Sequence, residues 1–215
     1  MSPSGRIELG RVLRAYGRKL LDRHRSQWMI LPLDAALRAE QPSFEARLVF
    51  DDPARVLEFI RGLQLAGTCE PIEIRSMQER GHLFVGLEAK DEWIGFAKIG
   101  WGVVYVLDYG IELELPPGFC FVLESYIVPE WRRRGAGRFL IAGTSIEMRN
   151  RGFTHRISHV RTGNRPMLEA ARHVGYRTLG AVDFVSILGR KHFRPHPATL
   201  LAAAAAAPQT APGLV

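Results

Sequence analysis

Between His82 and Val128 the chain places three β-rich runs in succession, HLFVGLEA, WIGFAKIGWGVVYVLDY and FCFVLESYIV. Turn signals at Lys90-Asp91-Glu92 and Pro116-Pro117-Gly118 part them. Runs joined in this way pair as an antiparallel meander. The period then changes. A helix is predicted from about Gly137 to Arg151 with Gly152 as its stop, followed by the strand HRISHV. A second helix runs from about Arg165 to Val174, stopped by Gly175, and leads into TLGAVDFVSIL. Strand, helix and strand in one sheet demand a crossover and a parallel pair. The sheet is therefore expected to be mixed and partly open, within an α/β (α+β) fold.

Upstream, FEARLVF (44–50) alternates as a strand, and Asp51-Asp52-Pro53 offers an N-cap and a proline at the first helical position. The helix that follows reaches about Gln64. PIEIRSMQER reads as a second, short helix ended by Gly81. Nearer the N-terminus, Leu9, Val12, Leu13, Tyr16 and Leu20 share one helical face within IELGRVLRAYGRKLLDRHRSQW, whose other face is rich in arginine. The next piece, WMILPLD, reads as a short extended segment, with Pro32 restricting it to a sheet edge or a loop. Residues 1–42 are thus expected to be a helical extension carrying a basic amphipathic helix, and 43–193 one domain. RPHPATLLAAAAAAPQTAPGLV (194–215) is expected to be a disordered Ala/Pro-rich tail.

The length of 215 residues suits one well-buried core with appendages, and apolar and charged shares of 47% and 24% exclude wholesale disorder. Of the net charge of +7, the stretch Arg6–Arg25 supplies +5, seven basic residues against two acidic. Such a patch suits a peripheral membrane surface, nucleic acid or a phosphorylated ligand, and charge alone does not choose. No zinc-finger or RNP spacing supports nucleic acid. Cys69 and Cys120 lack metal-type neighbours, so no metal is expected and both read as reduced core residues. With no signal-peptide core and no run of 18 uncharged apolar residues, the expectation is a cytoplasmic protein.

The last strand of the meander runs into VPEWRRRGAGRFLI, residues 128–141. At such a junction the first N–H groups of the helix lack partners and carry partial positive charge. Gly135 and Gly137 have no Cβ, so an anion can approach the backbone closely, and Arg132, Arg133 and Arg134 add charge. A solvated arginine cluster at a helix start is the alternative reading. In this context, YIVPEWRRRGAG resembles the R/Q-x-x-G-x-G/A segment of the GNAT acyltransferase superfamily, and NRPMLEAARHVGY resembles that family's Asn-led helix ending in Gly-Phe or Gly-Tyr.

The resemblance implies a GNAT fold, with a mostly antiparallel sheet of about six to seven strands flanked by helices. It also implies acetyl-CoA, or another acyl-CoA, as co-substrate and an amine as acceptor. On it, the pyrophosphate would rest on backbone N–H groups of Arg133, Arg134, Gly135, Ala136, Gly137 and Arg138. The pantetheine arm would lie along Ser125, Tyr126 and Ile127, beside a bulge that splays this strand from HRISHV. Asn164 matches a family Asn that touches the arm, and also reads as an N-cap.

Glu124 occupies a strand position where the family often carries an acid, so it is a candidate general base, with pairing to a nearby arginine as the alternative. Ala171 stands where many relatives have a tyrosine that protonates the thiolate; Tyr126 is a candidate substitute acid, or a packing residue. His155 and His159 share a face and could approach the acceptor. Three functional readings remain open: N-acetyl transfer, transfer of longer chains near a membrane, and acyl-CoA binding without catalysis.

Overall fold

The computed structural model describes residues 21–33, 42–50, 52–65 and 79–206. In chain order the elements are β1 (Leu21–Pro32), β2 (Arg47–Phe50), α1 (Pro53–Leu65), β3 (Leu83–Ala89), β4 (Glu92–Trp101), β5 (Val103–Val106), β6 (Ile111–Glu114) and β7 (Phe119–Ile127). A 3-10 turn (Pro129–Trp131) leads into α2 (Ala136–Asn150), then β8 (His155–Arg161), α3 (Arg165–His173), β9 (Arg177–Ile187), β10 (Arg190–Arg194) and α4 (Pro197–Ala206). Eight strands form one sheet in the order β10-β9-β1-β8-β7-β4-β3-β2, while β5 and β6 make a separate hairpin. All neighbours in the large sheet are antiparallel except β7 and β8, the parallel pair that the crossover through α2 requires.

The helix boundaries follow the local chemistry. Asp52 accepts the N–H of Arg55 on its side chain at 3.1 Å, capping α1 just before Pro53. The long run WIGFAKIGWGVVYVLDY is two strands, because Gly102 turns the chain with φ of +65° between β4 and β5. The segment PIEIRSMQER lies, up to Gln78, outside the described residues.

Three expectations are corrected. First, helix does not extend through Trp28: residues 21–32 are strand β1, and this strand is interior, between β8 and β9. The helical spacing of apolar residues stops at Leu20. Beyond it His24, Ser26 and Trp28 alternate with Arg23, Arg25 and Gln27, a period of two. Pro32 fits an interior strand because it is the last residue of β1, paired with His155 alone, beyond the reach of β9. Second, the tail is not disordered throughout. Residues 197–206 are helix α4, Leu201 is buried, and Leu200 packs where Gly180 of β9 leaves room. Third, β1 and β10 join the main sheet, which has eight strands rather than about six to seven.

The core divides by sheet face. On one face α2 and α3 bury Phe139, Leu140, Ile141, Met148, Leu168 and Ala171 against β3, β4 and β7. On the other, the β5–β6 hairpin and α4 cover Trp28, Phe121, Ile157, Val182 and Phe184. Helix α1 covers a third cluster made by Val56, Leu57, Ile60, Phe84 and Phe96. Arg156 is buried beneath α2, donating to the Ile141 carbonyl at 2.6 Å and to the hydroxyls of Thr144 and Ser145 at 2.7 and 2.6 Å.

Candidate active site

The site begins as a defect in the sheet. Lys98 pairs with Glu124 but Ile99 pairs with Val122, so Leu123 is an extra residue on β7, a β-bulge. On its other side β7 pairs with β8 only from Phe119 to Phe121, although the strands run on to Ile127 and Arg161. Beyond Phe121 the two parallel strands therefore part. Ser125, Tyr126 and Ile127 lie on this stretch without β8 as a ladder partner, which suits an extended ligand laid along a strand. The Ile127 carbonyl accepts the Arg132 Nε–H at 2.8 Å.

The loop after β7 completes one end of the opening. Gly135 is the N-cap of α2 in the left-handed conformation, φ +89°, and no side chain caps the helix. The first N–H groups of α2 are thus left for an anion. A Cβ at Gly137 would meet nothing within 4 Å, so the space over it is open. Arg132, Arg133, Arg134 and Arg138 are all exposed. Arg132 lies over the Tyr126 ring at 5.3 Å and Arg134 over the Trp131 ring at 5.4 Å, while Arg138 is 2.8 Å from His173 Nε2. From behind, Ser43 donates its backbone N–H to the Arg134 carbonyl at 3.3 Å, and Phe44 packs edge-on against Trp131. The segment before β2 thereby braces the loop. Asn164 caps α3, its side-chain oxygen accepting the Met167 N–H at 3.4 Å. These residues fit a pyrophosphate and an extended arm: a bare helix start, open space over glycine, exposed cations and a strand whose edge toward β8 is open.

Of the candidate proton-transfer groups, Glu124 is 27% exposed at its side chain and ion-paired with Lys98 directly across from it on β4, not with an arginine. In the sequence Lys98 stands only as a charge interrupting WIGFAKIGW. A lysine midway along an otherwise apolar interior strand is the signal, since a buried ammonium requires a partner. Tyr126 lies opposite Phe96, with its ring 6.2 Å away, and joins the cluster under α1. Ala171 is buried in the core beneath α2. His159 donates its Nε2–H to Asp108 Oδ2 at 3.2 Å and stacks on Trp28 and Phe121. His155 stacks on Phe119, and burial lowers its pKa. Cys120 is a buried free thiol, pushed up to about 12 by burial. Cys69 lies outside the described residues.

A mixed sheet opened between two parallel strands, with a glycine-rich helix start at its mouth, defines an acyltransferase-like architecture. Residues 46–176 match the family model described as the acetyltransferase (GNAT) family, which is more than half of the chain, and the chain belongs to that family. Solved structures agree on the fold. A putative GNAT-family acetyltransferase from Novosphingobium aromaticivorans has a TM-score of 0.52 at 18% identity, covering 77% of this chain and 65% of its own. A GCN5-related N-acetyltransferase from Kribbella flavida scores 0.53 at 14% identity over 80% and 62%, and a Drosophila protein 0.55 at 15% over 84% and 57%. The chain thus spans less than two thirds of each of these molecules. No curated protein sequence matches it.

Proposed function

We propose that this protein is an acyl-CoA-dependent N-acyltransferase, with acetyl as the transferred group, acting by direct attack of an amine on the thioester. The observation that carries the reading is the opening of β7 from β8 at the bulge, leading into the uncapped start of α2. Backbone N–H groups from Arg133 to Arg138 would hold the pyrophosphate, and the open β8-side edge of Ser125–Ile127 the pantetheine arm. Acyl-CoA, when bound, supplies an activated carbonyl.

Glu124 serves as the general base. A lysine-like amine with pKa near ~10.4 costs about 4.6 kcal/mol to make neutral at pH 7, so a group to take the proton matters. As the amine nitrogen bonds to the carbonyl carbon, the carbon–sulfur bond breaks and the electron pair leaves on sulfur. Glu124, directly or through water, first takes the ammonium proton and passes it to solvent; the second proton, which the nitrogen sheds after attack, goes to the thiolate. A thiol with pKa near ~8.5 is already a fair leaving group, so the absence of a tyrosine at position 171 does not stop turnover.

Thermal shift with acetyl-CoA, longer acyl-CoAs and nucleic acid tests the ligand, since binding to the folded state raises its stability. Stabilisation by acetyl-CoA is expected, and none by any CoA ester refutes the reading. The burial of Ala171 favours a second reading, a module that binds acyl-CoA without turnover. Stabilisation without thiol release over a panel of amines would select it.

A further inference from the structure

We propose that Lys98 is a positioning residue: its ion pair with Glu124 fixes the direction of that side chain at the bulge, so that the carboxylate meets the acceptor amine. This rests on the reading of Glu124 as the base.

Lys98 is 1% exposed in the interior of the sheet, and its Nζ donates to Glu124 Oε2 across the β4–β7 ladder. The same ammonium lies 5.2 Å from the centre of the Phe96 ring. An ammonium withdrawn so far from water is strongly disfavoured without a counter-charge, so the two charges are held together. The pairing is asymmetric. Lys98 has 2% of its side chain exposed and Glu124 has 27%, so the cation is the fixed anchor and the carboxylate the part reachable from outside.

Position adds the second argument. A bulge breaks the regular alternation of side chains and leaves local freedom in direction. Leu123 is the extra residue, so the side chain immediately after it is the one whose aim the bulge leaves least determined. Lys98 lies directly opposite that residue, on the regular strand. Register pairs Phe96 with Tyr126 and Lys98 with Glu124, so an aromatic pair flanks the ion pair on the same face. A carboxylate fixed through one oxygen to an immobile partner is the arrangement that keeps a base in productive geometry.

A double-mutant cycle tests this, with thiol release from acetyl-CoA measured against spermidine, kanamycin, a lysine-containing peptide and water alone. Acetyl-CoA affinity is measured separately by calorimetry. Glu124→Gln is expected to lower kcat about 10²-fold, and Lys98→Met about tenfold, with acetyl-CoA affinity unchanged in both. In the Glu124→Gln background, Lys98→Met is expected to have no further effect on kcat, whereas a merely structural loss would add. If Lys98→Met fails to fold, Lys98→Gln carries the same expectations. Full kcat in the Lys98 variant beside a slow Glu124→Gln overturns the positioning role alone. Additive losses, or weakened acetyl-CoA binding in the Lys98 variant, overturn it too. An unaffected Glu124→Gln removes the base and the positioning role together.

Discussion

The indole N–H of Trp28, midway along the interior strand β1, donates to the phenol oxygen of Tyr109 at 3.1 Å. Both side chains are buried, and the bond ties the turn of the β5–β6 hairpin to the centre of the sheet. Tyr109→Phe keeps the ring and removes the acceptor, leaving a buried donor unsatisfied. Stability is expected to fall by about 1–3 kcal/mol, read as a lower urea midpoint at unchanged slope.

The two loop glycines are expected to fail differently. Gly135 has φ of +89° and a Cβ there would lie 3.2 Å from Pro42, so Gly135→Val loses both stability and acetyl-CoA binding. Gly137 has open space around it, so Gly137→Val abolishes binding with little change in melting temperature. Arg133→Ala merely weakens binding. Calorimetry beside thermal melts checks the ranking, and equal affinities for Gly137→Val and Arg133→Ala would refute it.

Acid is expected to weaken the fold, beginning near neutrality. Burial above all, and then Arg161, hold the His24 pKa below its ordinary value, although Asp22, 3.6 Å away, pulls the other way. Burial likewise lowers His82. The unfolded chain therefore takes up these protons first as pH falls below ~6.5, and stability drops from there. Asp108 adds a later loss. Burial pushes its carboxyl up, but bonds from His159 and Arg161 outweigh that and hold it well below the usual carboxylate range. Its contribution is complete above ~3.9 and disappears at lower pH. His24→Phe, which preserves the stack on Tyr109, should flatten the melting-temperature profile between about pH 7 and pH 5. An unaltered profile would exonerate His24.

Helix α4 is expected to contribute to stability. Leu201 is 2% exposed in the cluster with Val182 and Phe184, so Leu201→Ala should cost about 2–5 kcal/mol by denaturant unfolding. A cost near zero would mean that the helix is dispensable.

Local signals made most of the domain legible. The cap at Asp52, the turn glycines and the change of period after β7 each act within a few residues, and the corresponding elements stand where those signals put them. The parallel pairing of β7 with β8 followed from connectivity. What escaped depends on distant partners. Residues 21–27 join the extended piece that begins at Trp28 because β8 and β9 bracket them, and their arginines tolerate helix or strand equally until those neighbours are known. The alanine run reads as a disordered tail by composition, because Gly180, which makes room for Leu200, lies some way back along the chain. The partner of Glu124 was hidden for the same reason, since Lys98 stands 26 residues away and meets it only through register.

Strand β1 is also a kinetic bottleneck. Strands β9 and β10 reach the rest of the sheet only through it, and its partners run from Ser26↔Arg161 to Leu21↔Ile187. Closing contacts so distant in sequence exacts its loop entropy before any pairing rewards it, which makes the joining of the two halves a slow event. Until β1 docks, β8 and β9 each present a bare edge. The hazard period of this chain is therefore the wait for its earliest described strand to find two of its latest.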